Sequence, residues 1–192
     1  MSSSNELEVL QFSAARGWVQ WLSKNHSKSA GIWLRFYKKH SGIPSLTHAQ
    51  ALETALCYGW IDGQLKPGDA TCWAQKFTPR RPKSIWSKRN RELVEQLTLR
   101  KKMKPAGQRA VEAAKADGRW DQAYDSPGKM NVPDDFLHAL SENPKAATVF
   151  AGLNRANIYA ITWRLQTAKK PATRRKRMLA IIAMLSEGKT FH

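Results

Sequence analysis

Two neighbouring runs gather side chains that can move protons, attack as nucleophiles or hold anions. Cys57-Tyr58-Gly59-Trp60-Ile61-Asp62-Gly63-Gln64 supplies a thiol, rings and a carboxylate; Phe77-Thr78-Pro79-Arg80-Arg81-Pro82-Lys83-Ser84-Ile85-Trp86-Ser87-Lys88-Arg89-Asn90 adds adjacent arginines, hydroxyls and an amide. An Asp62 buried beside Arg80 or Arg81 would orient the guanidiniums through a bidentate pair. The alternative is an Asx-turn, with the Asp62 side chain bonded to backbone near Gly63. Arg80, Arg81 and Lys83 precede Ser84 and Ser87 at an expected helix start, where N–H groups, hydroxyls and cations together suit a phosphate or carboxylate. A solvated basic loop with capping serines is the other reading, and the glycines of a P-loop are missing. The candidate anion pocket is therefore Trp60, Asp62, Arg80, Arg81, Trp86, Ser87 and Asn90, with Asp62 as base or orienter.

Cys57 falls near the end of a helix, away from the helix start whose dipole lowers a thiol pKa, so it is expected to be buried and inert. Glu53, four residues earlier, shares its helical face. His26, His40, His48, His138 and His192 show no ligand spacing of the H-E-x-x-H kind, and neither a metal nor a cofactor is expected. A nucleophile and a histidine joined only by folding stay open as a third possibility.

Charge points the same way as the arginines. Lys and Arg number 32 against 15 acids, a formal net charge of +17, and a compact body so charged repels itself unless an anion relieves it. The densest run is Arg174, Arg175, Lys176 and Arg177, with Lys169 and Lys170 close by. Placed near a helix start, these cations meet the positive dipole end at a cost of up to ~1 kcal/mol each, which suggests an anionic contact. A longer basic stretch, 76–104, interleaves with Trp73, Phe77 and Trp86, the ingredients of a nucleic-acid surface. Solvated faces and core aromatics are the competing readings, and neither a helix-turn-helix nor a zinc finger accompanies the stretch.

The elements that must position these groups follow from periodicity and punctuation. Ser13 is expected to cap a first helix carrying Trp18, Trp21 and Leu22. Residues 31–39, rich in Ile, Trp, Phe and Tyr, read as a strand. Thr47 and Gln50 form a capping-box pattern ahead of Leu52, Ala55 and Leu56. Residues 62–69 contain Gly63, Pro67 and Gly68 and read as a loop; 70–78 read as a second strand pairing with the first. Ser87 is the expected N-cap of the next helix, and Pro105 opens another that ends at Gly118. Residues 125–131 are the linker candidate. Beyond it, Pro133 with Asp134 and Asp135, Asn143-Pro144, Asn154 and Pro171 each mark a helix start. The expected architecture is α+β and predominantly helical, with N-terminal helices around a small antiparallel sheet (1–125) and a C-terminal helical portion (126–192). At 42% hydrophobic and 24% charged the composition is that of a globular protein.

Several ordered segments resemble the YdeI/OmpD-associated family: 31–39; 45–63; 77–90; 104–125, with Pro105-Ala106-Gly107 and Gly118-Arg119-Trp120-Asp121; and the tail, with Ala168-Lys169 and Thr173-Arg174-Arg175-Lys176-Arg177. The resemblance covers most of the chain and implies a role in bacterial protection against bacteriocins and other antimicrobial peptides, a kind of stress response. It carries no agreed catalytic residues. Cys57 and Cys72 lack a C-x-x-C or zinc-like spacing, residues 1–12 lack a signal peptide's basic start and apolar run, and no stretch approaches a membrane span, so a cytoplasmic setting is expected. The expected activity is non-enzymatic binding of an anionic partner, either nucleic acid or a phosphate-bearing ligand; the alternative is an enzyme or small-ligand receptor built on the Asp62, Arg80 and Arg81 pocket.

Overall fold

A computed structural model of the chain describes residues 6–126 and 128–192; the first five residues of the polar N-terminus and Pro127 of the expected linker lie outside the described residues. The elements run β1 (Val9–Gln11), α1 (Ala15–Asn25), β2 (Ile32–Tyr37), a 3-10 turn (Lys39–Ser41), α2 (His48–Cys57), β3 (Trp60–Pro67), β4 (Cys72–Pro79), α3 (Lys88–Leu99), α4 (Pro105–Ala116), α5 (Asp134–Ser141), α6 (Pro144–Ala151), α7 (Arg155–Gln166) and α8 (Pro171–Ser186). The chain divides into two compact units: 1–86 with 90–122, and 87–89 with 123–192.

The first unit holds a four-stranded sheet ordered β1-β2-β4-β3. Its central pair is the expected one, with Ile32 opposite Phe77 and Tyr37 opposite Cys72 in antiparallel register. Two strands depart from expectation. β1 lies parallel to β2, so the sheet is mixed and not purely antiparallel; α1 supplies the crossover that a parallel pair requires. β3 occupies most of the stretch read as a loop. Its pairing with β4 is interrupted by a register shift between Asp62 and Leu65, where Gly63 falls. Pro67 ends the strand on a sheet edge, where a missing N–H removes no ladder bond.

Aromatic packing ties helix to sheet. Trp18 of α1 is fully buried, donates from Nε1 to the Ala51 carbonyl at 3.1 Å, and meets Trp60 and Phe77 edge-on at 6.2 and 5.8 Å. The N-cap of α1 is Ala14, which makes no side-chain cap bond, and not Ser13 as expected; Phe12, just before it, packs its ring on Trp18. α2 opens with the full capping box: Thr47 Oγ1 accepts from the Gln50 amide and Gln50 Oε1 accepts from the Thr47 amide. Where α4 crosses the end of α2, Gly107 is obligatory in size, since a Cβ there would lie 2.3 Å from the Cys57 carbonyl oxygen.

The second unit is a helical cluster. Phe136, Leu140, Ala146, Ile161, Leu165, Ile181 and Leu185 form its core. Asn143 and Asn154 cap α6 and α7 by accepting from the Ala146 and Asn157 amides, as their place before each apolar run implied. Ser87 and Lys88 belong here because Ser87 bridges to Tyr124, the Lys88 amide donates to the Tyr124 carbonyl, and Lys88 Nζ pairs with Asp125 at 2.7 Å. No helix among the described residues is long and apolar enough to cross a membrane.

Candidate functional site

A cavity of about 570 Å³ opens in the first unit, lined by Ala15 and Val19 of α1, Gln50, Glu53, Thr54 and Cys57 of α2, Tyr58, Leu97 of α3, and Lys101, Lys102 and Lys104. The three lysines come from one tight connection. At the end of α3 the Lys102 amide donates to the Leu97 carbonyl and the Lys101 amide to that of Thr98, the paired bonds of a Schellman motif. Lys101 then occupies the left-handed position that this motif normally gives to glycine, with φ of 53°. A left-handed non-glycine residue costs ~1–2 kcal/mol. The Lys104 amide in turn donates to the Cys57 carbonyl at 3.0 Å, which brings the turn against the end of α2.

Three lysines and one acid line this cavity, and its thiol is not an activated nucleophile. Burial pushes the Cys57 thiol up, against the opposing pull of Lys102 and Lys104, and Glu53 adds to the rise. A thiol so placed stays protonated at neutral pH and attacks poorly, in line with the inert role read from sequence. Burial also raises the Tyr58 phenol. Lys101, Lys102 and Lys104 are exposed and make no salt bridge among the described residues; Glu53 is the one acid that lines the cavity with them.

The residues singled out from sequence are distributed differently. Trp60 is buried and donates to the His26 carbonyl at 3.0 Å, flanked edge-on by Trp18 and Trp21. Among the described residues Asp62 meets neither arginine in an ion pair and makes no Asx-turn bond; its Oδ2 lies 3.2 Å from His48 Nε2. Arg80 stacks its guanidinium over Trp86 at 3.6 Å and donates to the Ile85 carbonyl at 2.8 Å. Arg119, also buried, donates to the Ser84 carbonyl and to Asp117. Two guanidiniums thus stitch the 80–86 loop from inside. Arg81 and Lys83 are exposed and Asn90 is half-buried.

The C-terminal cations split into two kinds. Arg174 makes a two-bond pair with Asp135, and this bond holds the Asp135 carboxyl below its ordinary range. Arg177 donates to the Arg164 carbonyl at 2.7 Å and to Thr167 Oγ1, closing the end of α7. These partners offset the dipole cost that had suggested an external anion. Lys169, Lys170, Arg175 and Lys176 remain exposed.

Residues 10–110, more than half of the chain, match the family described as Domain of unknown function (DUF8412). The chain belongs to this DUF8412 family. Its lysine-rimmed cavity lies wholly within the matched stretch. Residues 129–188 match a second family, described as Bacteriocin-protection, YdeI or OmpD-Associated. That resemblance is therefore real but narrower than the quoted segments implied. The tail around Arg174 falls inside the match; segments 31–39, 45–63 and 77–90 fall in the DUF8412 stretch instead. No curated protein and no solved structure matches the chain.

The lysine turn escaped the sequence reading for a physical reason. Lys101, Lys102 and Lys104 counted only as charge in a long basic stretch, because nothing in the sequence marks a lysine as the left-handed residue of a helix end. Among the described residues no group of three or more His, Cys, Asp or Glu is placed to hold a metal.

Proposed function

We propose that this protein is a non-enzymatic receptor for a small phosphate-bearing ligand, bound in the cavity between α1, α2 and the α3–α4 turn. What supports the reading is the strained turn, which brings three lysines without ion-pair partners among the described residues into the lining of one cavity. Cations clustered in a concave, partly apolar site raise the local concentration of an anion and strengthen its hydrogen bonds. Val19 and Leu97 give the rest of the ligand an apolar wall, while Gln50 and Thr54 supply polar atoms to orient it. The protonated Cys57 leaves the cavity without an activated nucleophile, which favours binding over catalysis.

The C-terminal match to a bacteriocin-protection family supports a protective, stress-related role, with the ligand as the signal or the cargo of that role. Cys57 and Cys72 are free, which suits a reducing compartment, and we read the setting as cytoplasmic. Thermal shift with inorganic phosphate, pyrophosphate, AMP and ATP tests the reading, because a specific binder raises Tm progressively with its concentration. The expected result is a concentration-dependent shift with at least one of these at fixed ionic strength, lost when Lys101, Lys102 and Lys104 are all changed to Gln. No shift with any of the four, or one untouched by the triple change, overturns it. The exposed Lys169, Lys170, Arg175 and Lys176 favour nucleic acid as a second reading, for which binding must weaken linearly in log salt.

A further inference from the structure

A second cavity of the first unit, about 510 Å³, is lined by His48, Phe36, Trp73, Thr47, Ile43 and Lys39 among others, and shares no residue with the lysine cavity. His48 stands at the first position of α2 over an aromatic floor: Phe36 and Trp73 lie 5.9 Å from its ring and Phe77 lies at 6.2 Å. Phe36 and Trp73 are themselves stacked at 4.6 Å. Across this floor Asp62 reaches His48 Nε2 at 3.2 Å, with both side chains about a quarter exposed.

The pairing fixes the chemistry of the ring. An ionised carboxylate only accepts hydrogen bonds, so this contact puts a ring proton on Nε2, and in the neutral tautomer that fits it Nδ1 is the acceptor. Nδ1 makes no hydrogen bond to any described residue. The β3 register shift begins directly after Asp62, and such bulges re-aim side chains next to binding sites. The shift is itself anchored, since Gln75 donates from Nε2 to the Gly63 carbonyl at 2.6 Å.

We propose that His48 and Asp62 form a second ligand site, one that takes a planar aromatic compound bearing a hydroxyl or N–H group. The ligand's ring packs against Trp73 and Ile43, its O–H or N–H donates to His48 Nδ1, and Asp62 is the positioning residue that holds the tautomeric proton on Nε2. A sufficiently acidic ligand hydroxyl transfers its proton to Nδ1, and the resulting imidazolium is stabilised by the Asp62 carboxylate. Lys39, on the same wall, then faces the ligand oxyanion. Lys38 is occupied, donating to the Asp69 carbonyl.

The probes are p-cresol and 4-methylanisole, which share a shape and differ in the donor. Binding is followed by the ring-nitrogen resonances of His48 in labelled protein. In the free protein Nδ1 should resonate as an unprotonated nitrogen and Nε2 as a protonated one. p-Cresol should bind at least tenfold more tightly than 4-methylanisole and move the Nδ1 signal. Asp62→Asn should mix the two tautomers and bring the probes close to parity, while phosphate-ligand binding at the lysine cavity stays unchanged. His48→Gln should also remove the preference, and Trp73→Leu should weaken both probes alike, so the test survives if one variant fails to fold. Equal affinity for the two probes, no binding by either at millimolar concentration, a protonated Nδ1 in the free protein, or a preference that persists in Asp62→Asn each overturns the proposal.

Discussion

Lys101→Gly should make the protein more stable and a poorer anion binder at once. The structure places Lys101 at φ of 53° in the left-handed position closing α3, and relief of that strain is worth ~1–2 kcal/mol. Against it stands the extra freedom of glycine in the unfolded chain, ~0.5–1 kcal/mol. Strain relief outweighs that freedom, and the expected net gain is about 0.5–1 kcal/mol, a rise of roughly 1–4 °C in Tm for a chain of this size. The same change removes one of the three lysines that line the cavity. A unit charge near a phosphate is worth ~1 kcal/mol in water and ~4 at the effective dielectric of a protein surface. About tenfold weaker binding, close to 1.4 kcal/mol, is therefore expected for whichever phosphate compound gives the thermal shift. Lys101→Ala separates the two effects, since it keeps the strain and loses the charge. Calorimetric unfolding and titration of both variants decide the matter. A glycine variant that is no more stable refutes the strain at Lys101; unchanged affinity in both variants refutes a role for Lys101 in the site.

Gly107→Ala should cost ~1–3 kcal/mol, the usual penalty for overpacking, because its Cβ would meet the Cys57 carbonyl oxygen at 2.3 Å; urea unfolding should show a lower midpoint at unchanged slope. Asp69 should titrate at about 2, because the Thr71 hydroxyl and then the Thr71 and Cys72 amides hold its charged form. A depressed folded-state pKa adds stability above the unfolded value near 4 that is lost as pH falls toward about 2, and Thr71→Val should raise the Asp69 value measured by NMR. Arg177→Ala should destabilise the second unit by about 1 kcal/mol, the net worth of a typical hydrogen bond, whereas Lys176→Ala should leave Tm unchanged; equal effects would remove the distinction between structural and exposed cations. Acetylation of the lysines, which removes their charge, should abolish phosphate binding, and reductive methylation, which keeps it, should not.

What was legible in the sequence was whatever local chemistry decides. The Thr47 capping box, the Pro105 start of α4, and the Asn143 and Asn154 caps all sit where their side chains can satisfy free helix N–H groups or, for proline, where no N–H is needed. β2 and β4 declared themselves by aromatic and β-branched content. β3 did not, because Gly63, Pro67 and Gly68 are turn residues in isolation, and only pairing with β4 turns them into a bulge, an edge and a tight turn. β1 is three residues long and exists only because β2 offers it an edge. The His48–Asp62 pair belongs to the same class: fourteen positions separate the two residues, and the reversal from α2 into β3 alone brings them together.

The basic residues give the sharper lesson. Counted as charge, arginine and lysine are equivalent. In the fold, Arg80, Arg91, Arg119, Arg164, Arg174 and Arg177 bond to backbone carbonyls or carboxylates within their own units. A planar guanidinium with several fixed donors and weak hydration is suited to that work, whereas an ammonium on a flexible stem stays in water. Lysines accordingly carry most of the charge left facing outward in the lysine cavity and beside α8. A surplus of 17 positive charges thus includes arginines that hold the structure together. Three of the lysines left outside such bonds lie together at the strained turn that closes α3.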